Sequence, residues 1–458
     1  MEINNVLLPC QKSASETTRW DIRLRDGKVS QIRPSERPAS EPPSLLLPPL
    51  CHPHIHLDKP YILTCNHPTS QSLPDYSDLV PETGSFQEAL LNTSRAKERY
   101  TESDLYLRGS QLLATSYGQG VASLRAFVEI DHVTETRPLD VALQLVSDFS
   151  HLLEIQLCAF AQDPIFSTAH GETNRSRLAS VLENYGSNIQ VLGTTPYVEK
   201  SREASLLNID WAITMALRHN LHLDFHLDYN LDEPSLLTQP LTFSVIELLQ
   251  KHNWLRRADR SKTIVLGHCT QLTVLPNSDL WRLAETIVQS GLPIHFVGLP
   301  TSDLFMMGRP DSATTLSQVR PRGTLNVPWM INDLGLSACI GVNNVGNAFT
   351  PFSSGDPLHM ASYGVGIYQA GAVSDATTLY GCVSWLARRA IGLHLDGDDK
   401  DIVEGISLQG MLLVKNEENI KLPGAAGKSE LSIPGKQRKN LKDVIWDPPR
   451  VELRSIIR

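Results

Sequence analysis

Histidines recur at every second position in the segment CHPHIHLDK, residues 51–59. His52, His54 and His56 alternate with Pro and Ile, and Asp58 continues the polar series. Side chains two residues apart on a strand point to the same face of the sheet. Two imidazoles on one face can therefore reach a single cation, and imidazole is a common ligand of Zn²⁺. We predict that this segment is a strand and that His54 and His56 are metal ligands.

The segment LHLDFHLDY, residues 221–229, has a second polar face. That face carries His222, Asp224, His226 and Asp228. A third apolar segment, IVLGHCT, ends with His268. We predict that His226 is the third metal ligand, because an imidazole from a second strand would complete a pocket for a divalent ion. His52 and His222 lie deeper in their strands, and we interpret both as hydrogen-bonded core residues.

Strands that could hold these side chains alternate with helices over most of the chain. The apolar runs are LLLPPLCHPHIHL, GVASLRAFVEI, IQLCAFAQ, IQVLGTTPYV, LHLDFHLDY, TIVLGHCT, PIHFVGL and SACIGVNN. Amphipathic segments such as SLLNIDWAITMALRHN lie between them and begin near a Ser or Asn cap. About eight strand–helix units predict an α/β fold, a (β/α)8 TIM-like barrel. In such a barrel the carboxyl ends of the strands surround one cavity, where we expect the histidines to meet.

Both ends of the chain predict a second, smaller domain. The segment RWDIRLRDGKVSQIR alternates apolar and polar residues around Asp26 and Gly27, which is typical of a hairpin. We predict a small β-domain built from residues 1–48 and 402–458, and a barrel over residues 49–401. The later segment KNEENIKLPGAAGKSELSIPGKQRKN is interpreted as a surface loop, and DVIWDPPRVELRSII as a strand.

Charge and composition exclude several classes of partner. The 458 residues include 41 basic and 50 acidic side chains, a net charge of −9, without a long basic run. Nucleic acid and anionic membrane surfaces are therefore not expected partners. No apolar run reaches the roughly 20 residues of a membrane-spanning helix. The seven cysteines are scattered without CxxC spacing, which favours reduced thiols and a cytoplasmic protein. We expect a small-molecule substrate, and a homo-oligomer is possible.

An ordered series of motifs resembles a known family. The series is PHIHLD, GVASLRAFVEID, IQLCAFAQD, VLGTTPYVE, DFHLD, IVLGHCT and GLPIHFVGLPTSDLFMMGR, and it extends over roughly residues 44–370. It is similar to the cytosine deaminase branch of the amidohydrolase superfamily, which includes the N-isopropylammelide aminohydrolases. The resemblance implies a TIM-like barrel, one divalent metal (Zn²⁺ favoured, Fe²⁺ possible), and hydrolysis of a C–N bond in a small N-heterocycle.

The resemblance also implies roles for individual residues. It makes His54, His56 and His226 the metal ligands. His268 would orient the nucleophilic water or the substrate, and Gln162 would hydrogen-bond to the heterocycle. Lys59 would hold an anionic or carbonyl group, although an exposed structural role is an alternative for this residue.

Several catalytic positions depart from the family pattern. Tyr229 stands where the deaminases have a proton-shuttling glutamate, and Asn343 stands where they have a metal-binding aspartate. Phe127 replaces the histidine of the second strand. Asparagine can ligate a metal through its carbonyl oxygen but cannot act as a base near neutral pH. We therefore do not predict a standard cytosine deaminase. Asn344, beside Asn343, is assigned to substrate binding.

The remaining polar groups leave three functions open. His268 and Asp228 are candidate bases and Tyr229 is a candidate acid, while Asp228 is alternatively a partner that orients an imidazole. The first hypothesis is a metal-dependent hydrolase acting on a C–N bond of a small, polar, cyclic compound. The alternatives are a non-hydrolytic cyclase, dehydratase or isomerase, and a catalytically silent binding protein. The loop PTSDLFMMGRPDSATTL, residues 300–316, would cover the substrate or simply pack.

Overall fold

The structure is a computed structural model. It describes residues 1–11, 17–38, 40–65, 73–309, 322–393, 401–424 and 429–458. Four strands come first in the chain: β1 (Glu2–Leu7), β2 (Arg19–Arg25), β3 (Lys28–Pro34) and β4 (Ser44–Leu47). Strands β2 and β3 are antiparallel neighbours, which confirms the predicted hairpin. Asp26 and Gly27 in its turn have φ values of 52° and 74°, as a two-residue type I′ turn requires.

Eight parallel strands follow and form a barrel in which the strand order equals the chain order. They are β5 (Leu50–His56), β6 (Val121–Glu129), β7 (Glu154–Ala161), β8 (Val191–Thr194), β9 (His222–Leu227), β10 (Ile264–His268), β11 (Ile294–Gly298) and β12 (Ala338–Ile340). The barrel closes just beyond β12, where Asn343 N–H donates to His54 O at 3.0 Å and His56 N–H donates to Asn343 O at 2.9 Å. The predicted (β/α)8 architecture is confirmed.

Strand β5 runs through Pro53, which has no N–H to donate to a neighbouring strand. The register of β5 against β6 shifts between His52 and Ile55, so the proline lies at an irregularity of the ladder. All seven residues of the strand are buried. Because the strand continues beyond Pro53, it carries His54 and His56 to the carboxyl end of the barrel.

Helices surround the barrel. They are α1 (Phe86–Lys97), α2 (Glu102–Gly118), α3 (Arg137–Phe149), α4 (Gly171–Asn184), α5 (Arg202–His219), α6 (Glu233–Leu236), α7 (Leu241–Lys251), α8 (Trp254–Arg257), α9 (Asn277–Ser290), α10 (Pro300–Phe305), α11 (Val327–Asn332), α12 (Pro357–Ile367), α13 (Val373–Cys382) and α14 (Trp385–Ala390). The Ser201 side chain caps α5 by accepting from Ala204 N–H, and α9 ends at Gly291 with φ 65°. Within the described ranges, each helix is too short or too polar to cross a bilayer.

A separate six-stranded sheet joins the two ends of the chain. Strands β13 (Leu412–Val414) and β16 (Arg454–Ile456) complete the order β16-β13-β4-β1-β2-β3. Val6, Ile22 and Leu408 are among the buried side chains of its core. A small β-domain built from both termini is thus confirmed, whereas the exact boundaries at residues 48 and 402 stay a prediction.

One interpretation of the C-terminal region was wrong and a second was right only in part. The expected surface loop contains β14 (Asn419–Leu422) and β15 (Leu431–Pro434), which pair as an antiparallel hairpin, while residues 425–428 lie outside the described part. The next segment, predicted as a strand, begins within helix α15 (Leu441–Trp446) and contains strand β16 only near its end. Asn440 caps this helix by accepting from the backbone N–H of residue 443, and α15 packs against α12 and α13. The cap and the buried helical face outweigh the β-branched composition of the segment.

Candidate active site

Three histidines meet at the carboxyl end of the barrel. Ring nitrogens of His54, His56 and His226 all lie within 4.8 Å of one another, and the Nε2 atoms of His54 and His226 are 3.0 Å apart. Each residue is at most 2% exposed. Strand alternation explains this arrangement, since His54 and His56 share one face of β5 and His226 lies near the end of β9. The structure therefore brings the three predicted ligands together.

The chemical state of these histidines suits a divalent cation. In the described part of the chain, the Nδ1 atoms of His54, His56 and His226 are buried without hydrogen-bond partners. Burial holds the pKa of each imidazole well below 6.5, and the nearby positive charge of Lys59 lowers it further. A neutral imidazole keeps the lone pair with which it binds a metal. The residues present fit a metal site with three histidine ligands.

A buried ion pair lies next to this cluster. Asp224 Oδ1 is 3.7 Å from His54 Nδ1, and Asp224 Oδ2 is 2.8 Å from Nη1 of Arg125. Burial raises the pKa of Asp224 to about 7, although Arg125 opposes this shift. Carboxylates beside metal-binding imidazoles commonly orient the ring. The alternation of polar residues in β9 placed Asp224 on the correct face, but nothing in the sequence paired it with Arg125.

Asn343 lies beside two of the histidines. It is 2% exposed with a φ of 67°, and its backbone forms hydrogen bonds with the backbones of His54 and His56. Its Oδ1 is buried and has no hydrogen-bond partner among the described residues. Asn344 is engaged differently, because its Oδ1 accepts from Asn347 Nδ2 at 2.8 Å. Asn343 therefore borders the histidine cluster, whereas the side chain of Asn344 forms its hydrogen bond within the segment that follows β12.

His268 has a carboxylate partner that the sequence analysis did not identify. Its Nδ1 is 2.6 Å from Oδ1 of Asp303, the fourth residue of α10. The ring centres of His268 and His226 are 5.2 Å apart. Tyr229 is 2% exposed, lies 5.5 Å from the His268 ring, and donates to the backbone oxygen of Asp303 at 3.3 Å. From the sequence, Asp303 is predicted only to lie in the loop of residues 300–316, which would cover the substrate or simply pack.

Asp228 does not join the histidine cluster through its carboxylate. Its oxygens accept from Leu241 N–H at 2.7 Å, from Thr242 N–H at 2.9 Å and from the Thr242 hydroxyl at 2.7 Å. These donors belong to the first turn of α7, where a carboxylate is favourable. The structure thus places this candidate base against a helix N-terminus.

Lys59 and Gln162 lie on the wall of the barrel beside the histidines. Lys59 is 1% exposed, so the alternative of an exposed structural role is wrong. Its ammonium group pairs with Glu129, lies 3.4 Å from Gln162 Oε1, and sits 4.8 Å from the ring centre of Phe349. Lys97 of α1 is a second buried cation that contacts Glu129. The motif containing Glu129 was recognised in the sequence, but its contact with two lysines was not.

An apolar cluster lies over this end of the barrel. It includes Phe86, Tyr229, Met306, Met307 and Phe349. Both methionines are buried. The backbone of Met307 forms an isolated antiparallel β-bridge with Ser85, the residue before α1. The described part of the predicted covering loop therefore packs into this cluster, while residues 310–316 of that loop lie outside the described residues.

Comparisons with known proteins support the fold. No protein-family model matches the sequence, and no curated protein matches it. The structure is similar to 5-methylcytosine deaminase from Klebsiella pneumoniae liganded with phosphonocytosine, with a TM-score of 0.72 and 19% identity over 98% of this chain and 95% of that one. It is also similar to N-isopropylammelide isopropylaminohydrolase from Burkholderia multivorans ATCC 17616, with a TM-score of 0.65 and 17% identity over 98% and 94% of the two chains.

An adenosine deaminase from Xanthomonas campestris with bound zinc is a more distant neighbour. Its TM-score is 0.52 and its identity is 14%, over 90% of this chain and 85% of that one. At such identities the similarity establishes the fold alone. The chain therefore shares the fold of amidohydrolase-type deaminases, the same group that its motifs resemble.

Proposed function

We propose that the protein is a metal-dependent hydrolase that cleaves a C–N bond of a small, polar, cyclic nitrogen compound. One observation carries this proposal: three neutral, buried histidines converge beside His268 at the carboxyl end of a barrel. Sites in such barrels are built at that end. The shared fold with a deaminase and an aminohydrolase supports the same reaction class.

The metal would be held by His54, His56 and His226. When bound, a divalent cation would polarise a carbonyl group of the substrate or lower the pKa of a water molecule to about 7. An all-imidazole set suits Zn²⁺ and also accommodates Fe²⁺. Zn²⁺ is favoured, and the zinc in the adenosine deaminase neighbour supports this choice.

His268 and Tyr229 are the groups that would move protons. Nδ1 of His268 is engaged by Asp303, so Nε2 is the ring nitrogen that would accept a proton from the nucleophile. The ring of Tyr229 lies 5.5 Å from the ring of His268, and its hydroxyl would turn from the backbone oxygen of Asp303 to donate to the leaving nitrogen. Asp228 takes no part in this proton transfer, because both of its carboxylate oxygens accept hydrogen bonds from the first turn of α7.

Lys59 and Gln162 would recognise the substrate. The Lys59 ammonium group donates hydrogen bonds, and burial strengthens its attraction for an oxygen that carries negative charge. The Gln162 amide offers both a donor and an acceptor to the edge of a heterocycle. Nearby aromatic rings, including Tyr197 at 6.4 Å from the His268 ring, favour a planar substrate. A small ring that bears a carbonyl or hydroxyl oxygen fits these groups.

Cytosine is not the expected substrate. Asn343 and Tyr229 stand where a deaminase would have two carboxylates, and general acid–base catalysis typically contributes about 10²–10⁴-fold. The test is release of ammonia or alkylamine from cytosine, and from N-alkylamino and hydroxyl derivatives of pyrimidine and triazine rings. We expect release from at least one N-alkylamino ring that bears a hydroxyl group and none of note from cytosine, with the activity lost in His226→Asn. Rapid cytosine turnover, or no release from any ring by metal-loaded protein, would contradict the proposal.

Asn343→Asp is expected to tighten metal binding. A carboxylate beside His54 and His56 adds a negative charge to the site, and aspartate tolerates the same positive φ as asparagine. We expect the dissociation constant for Zn²⁺, measured by competition with a chelator, to fall about tenfold or more, which is about 1.4 kcal/mol. Asn344→Asp is the matched control, because Asn344 bonds to Asn347 instead. Equal tightening by both variants would show that general charge, and not contact at residue 343, is responsible.

A further inference from the structure

We infer that Asp303 is a positioning residue that fixes which nitrogen of His268 carries the proton. This inference rests on the proposed function, since it concerns the group that would accept the proton there. Asp303 is fully buried, and it lies in α10, which follows the seventh strand of the barrel. None of its side-chain contacts described below involves His54, His56 or His226.

Three hydrogen-bond donors converge on the Asp303 carboxylate. Oδ1 is 2.6 Å from Nδ1 of His268, while Oδ2 accepts from Leu299 N–H at 3.2 Å and from the Thr324 hydroxyl at 2.8 Å. An ionised carboxylate only accepts hydrogen bonds, so Nδ1 of His268 must carry the proton. The neutral ring then has its lone pair on Nε2, which is the state that a general base requires.

The backbone around His268 reinforces this orientation. His268 and Cys269 have φ values of 66° and 46°, a conformation that side-chain-bearing residues adopt only where the surroundings hold it. The preceding residue, Gly267, packs closely against the His54 ring, because a Cβ added to this glycine would lie 3.4 Å from that ring. The His268 ring is therefore held by the backbone at the end of β10 and by its hydrogen bond to Asp303 in α10.

Asp303 also contacts the second proton-transfer group. The Tyr229 hydroxyl donates to the backbone oxygen of Asp303 at 3.3 Å. The side chain and the backbone of one residue thus hold the candidate base and the candidate acid. Asp303→Asn would keep the volume and the backbone contact but remove the negative charge, so the effect on His268 can be separated from the effect on Tyr229.

The predicted effect on catalysis is a change in kcat. When an aspartate that orients a catalytic histidine is replaced by asparagine in a serine protease, kcat falls about 10⁴-fold because the tautomer is wrong. We expect Asp303→Asn to lower kcat about 10²-fold or more on a ring that the natural protein hydrolyses. KM should change little, because Asp303 does not touch Lys59 or Gln162. A loss confined to KM would contradict a positioning role.

The direct test is the tautomer of His268, measured by NMR of protein with ¹⁵N-labelled histidine. The His268 resonances are assigned by their loss in His268→Gln. We expect Nδ1 to carry the proton in the natural protein, and this signal to be lost or mixed in Asp303→Asn. Thr324→Val should cause a smaller shift, because it removes one donor to Asp303. A proton on Nε2 in the natural protein, or an unchanged spectrum in Asp303→Asn, would overturn the inference.

Asp228→Asn is the matched control. Asp228 is another buried carboxylate beyond a barrel strand and also accepts from three donors, but these are on Leu241 and Thr242. We expect its substitution to leave the His268 resonances in place. If Asp303→Asn does not fold, the natural protein and Thr324→Val still decide the question. Metal content measured on the same samples separates this inference from the proposed function. If the protein binds metal but His268 has its proton on Nε2, only the role of Asp303 is rejected.

Discussion

Glu129 is the residue at which the buried charges beside the histidine cluster meet. The ammonium groups of Lys59 and Lys97 both contact its carboxylate, and all three side chains are at most 3% exposed. The attraction of both lysines keeps the pKa of Glu129 below its ordinary value despite burial. Lys59 can face a substrate only while a carboxylate behind it compensates its charge.

Glu129→Gln is therefore expected to destabilise the fold. The substitution keeps the shape of the side chain but leaves two buried ammonium groups short of one negative charge. Breaking such a pair typically costs about 3–5 kcal/mol, which urea denaturation would measure as a lower free energy of unfolding. Glu135→Gln is the control, because Glu135 is 61% exposed and pairs with Arg177 at the surface. Similar losses in the two variants would contradict this account.

His222 gives the protein a specific sensitivity to acid. It is buried and accepts from Thr263 N–H at 3.0 Å, and burial lowers its pKa from 6.5 to about 2. Because the unfolded chain binds this proton below pH 6.5 and the folded chain does not, stability is lost as the pH falls from 6.5 towards 2. The loss from this residue is about 1.4 kcal/mol per pH unit.

His222→Asn should reduce this dependence. Asparagine keeps an acceptor for Thr263 but does not titrate. We expect urea denaturation at pH 7.5 and pH 5.5 to show a smaller difference in unfolding free energy for the variant than for the natural protein. Identical differences would mean that His222 is protonated in the folded state or plays no part.

At the scale of strands and helices, most of the barrel could be predicted from the alternation of apolar and polar residues in the sequence. Alternation predicted β5 and β9, and it placed His54, His56 and His226 on faces that the structure brings together. The turn at Asp26 and Gly27 was predictable for the same reason, because its chemistry is local. These features depend on neighbours in the chain, which a sequence displays directly.

Contacts between distant segments could not be predicted in this way. Asp303 meets His268 across 35 residues, and Glu129 meets Lys59 across 70. Such pairs depend on which strand ends adjoin in the closed barrel and on the exact path of the following loop. Helix α15 was missed because its cap at Asn440 and its buried face matter more than its strand-like composition. The sequence alone thus located the histidines better than it located their partners.

Asp228, a candidate catalytic residue, instead accepts hydrogen bonds from the N-terminus of a helix. Its carboxylate accepts from the first backbone N–H groups of α7, and burial raises its pKa while these bonds oppose the shift. Asp228→Asn should lower the free energy of unfolding by about 1–3 kcal/mol, as loss of charge-assisted bonds at a helix N-terminus does. Metal content should remain unchanged. A large loss of turnover with full stability would instead return Asp228 to the mechanism.

The whole molecule combines the barrel with a sheet made from both ends of the chain. Arg454 of β16 joins the two parts, since it pairs with Asp356 at the start of α12 at 2.8 Å and donates to Gln119 O at 3.1 Å. Both members of the pair are buried. The barrel brings the histidine cluster together at its carboxyl end, and each side chain assigned to the reaction projects from a strand end or from the segment that follows it.

The metal content of the protein tests the central claim most directly. Protein purified without chelator, and the same protein dialysed against Zn²⁺ or Fe²⁺, is analysed by inductively coupled plasma mass spectrometry. We expect about one divalent metal per chain, lost in His54→Asn and in His226→Asn but retained in His222→Asn, whose histidine lies deeper in β9. Protein that contains no metal and cannot be loaded with either ion, or that binds one equally well without His54 and His226, would contradict the account.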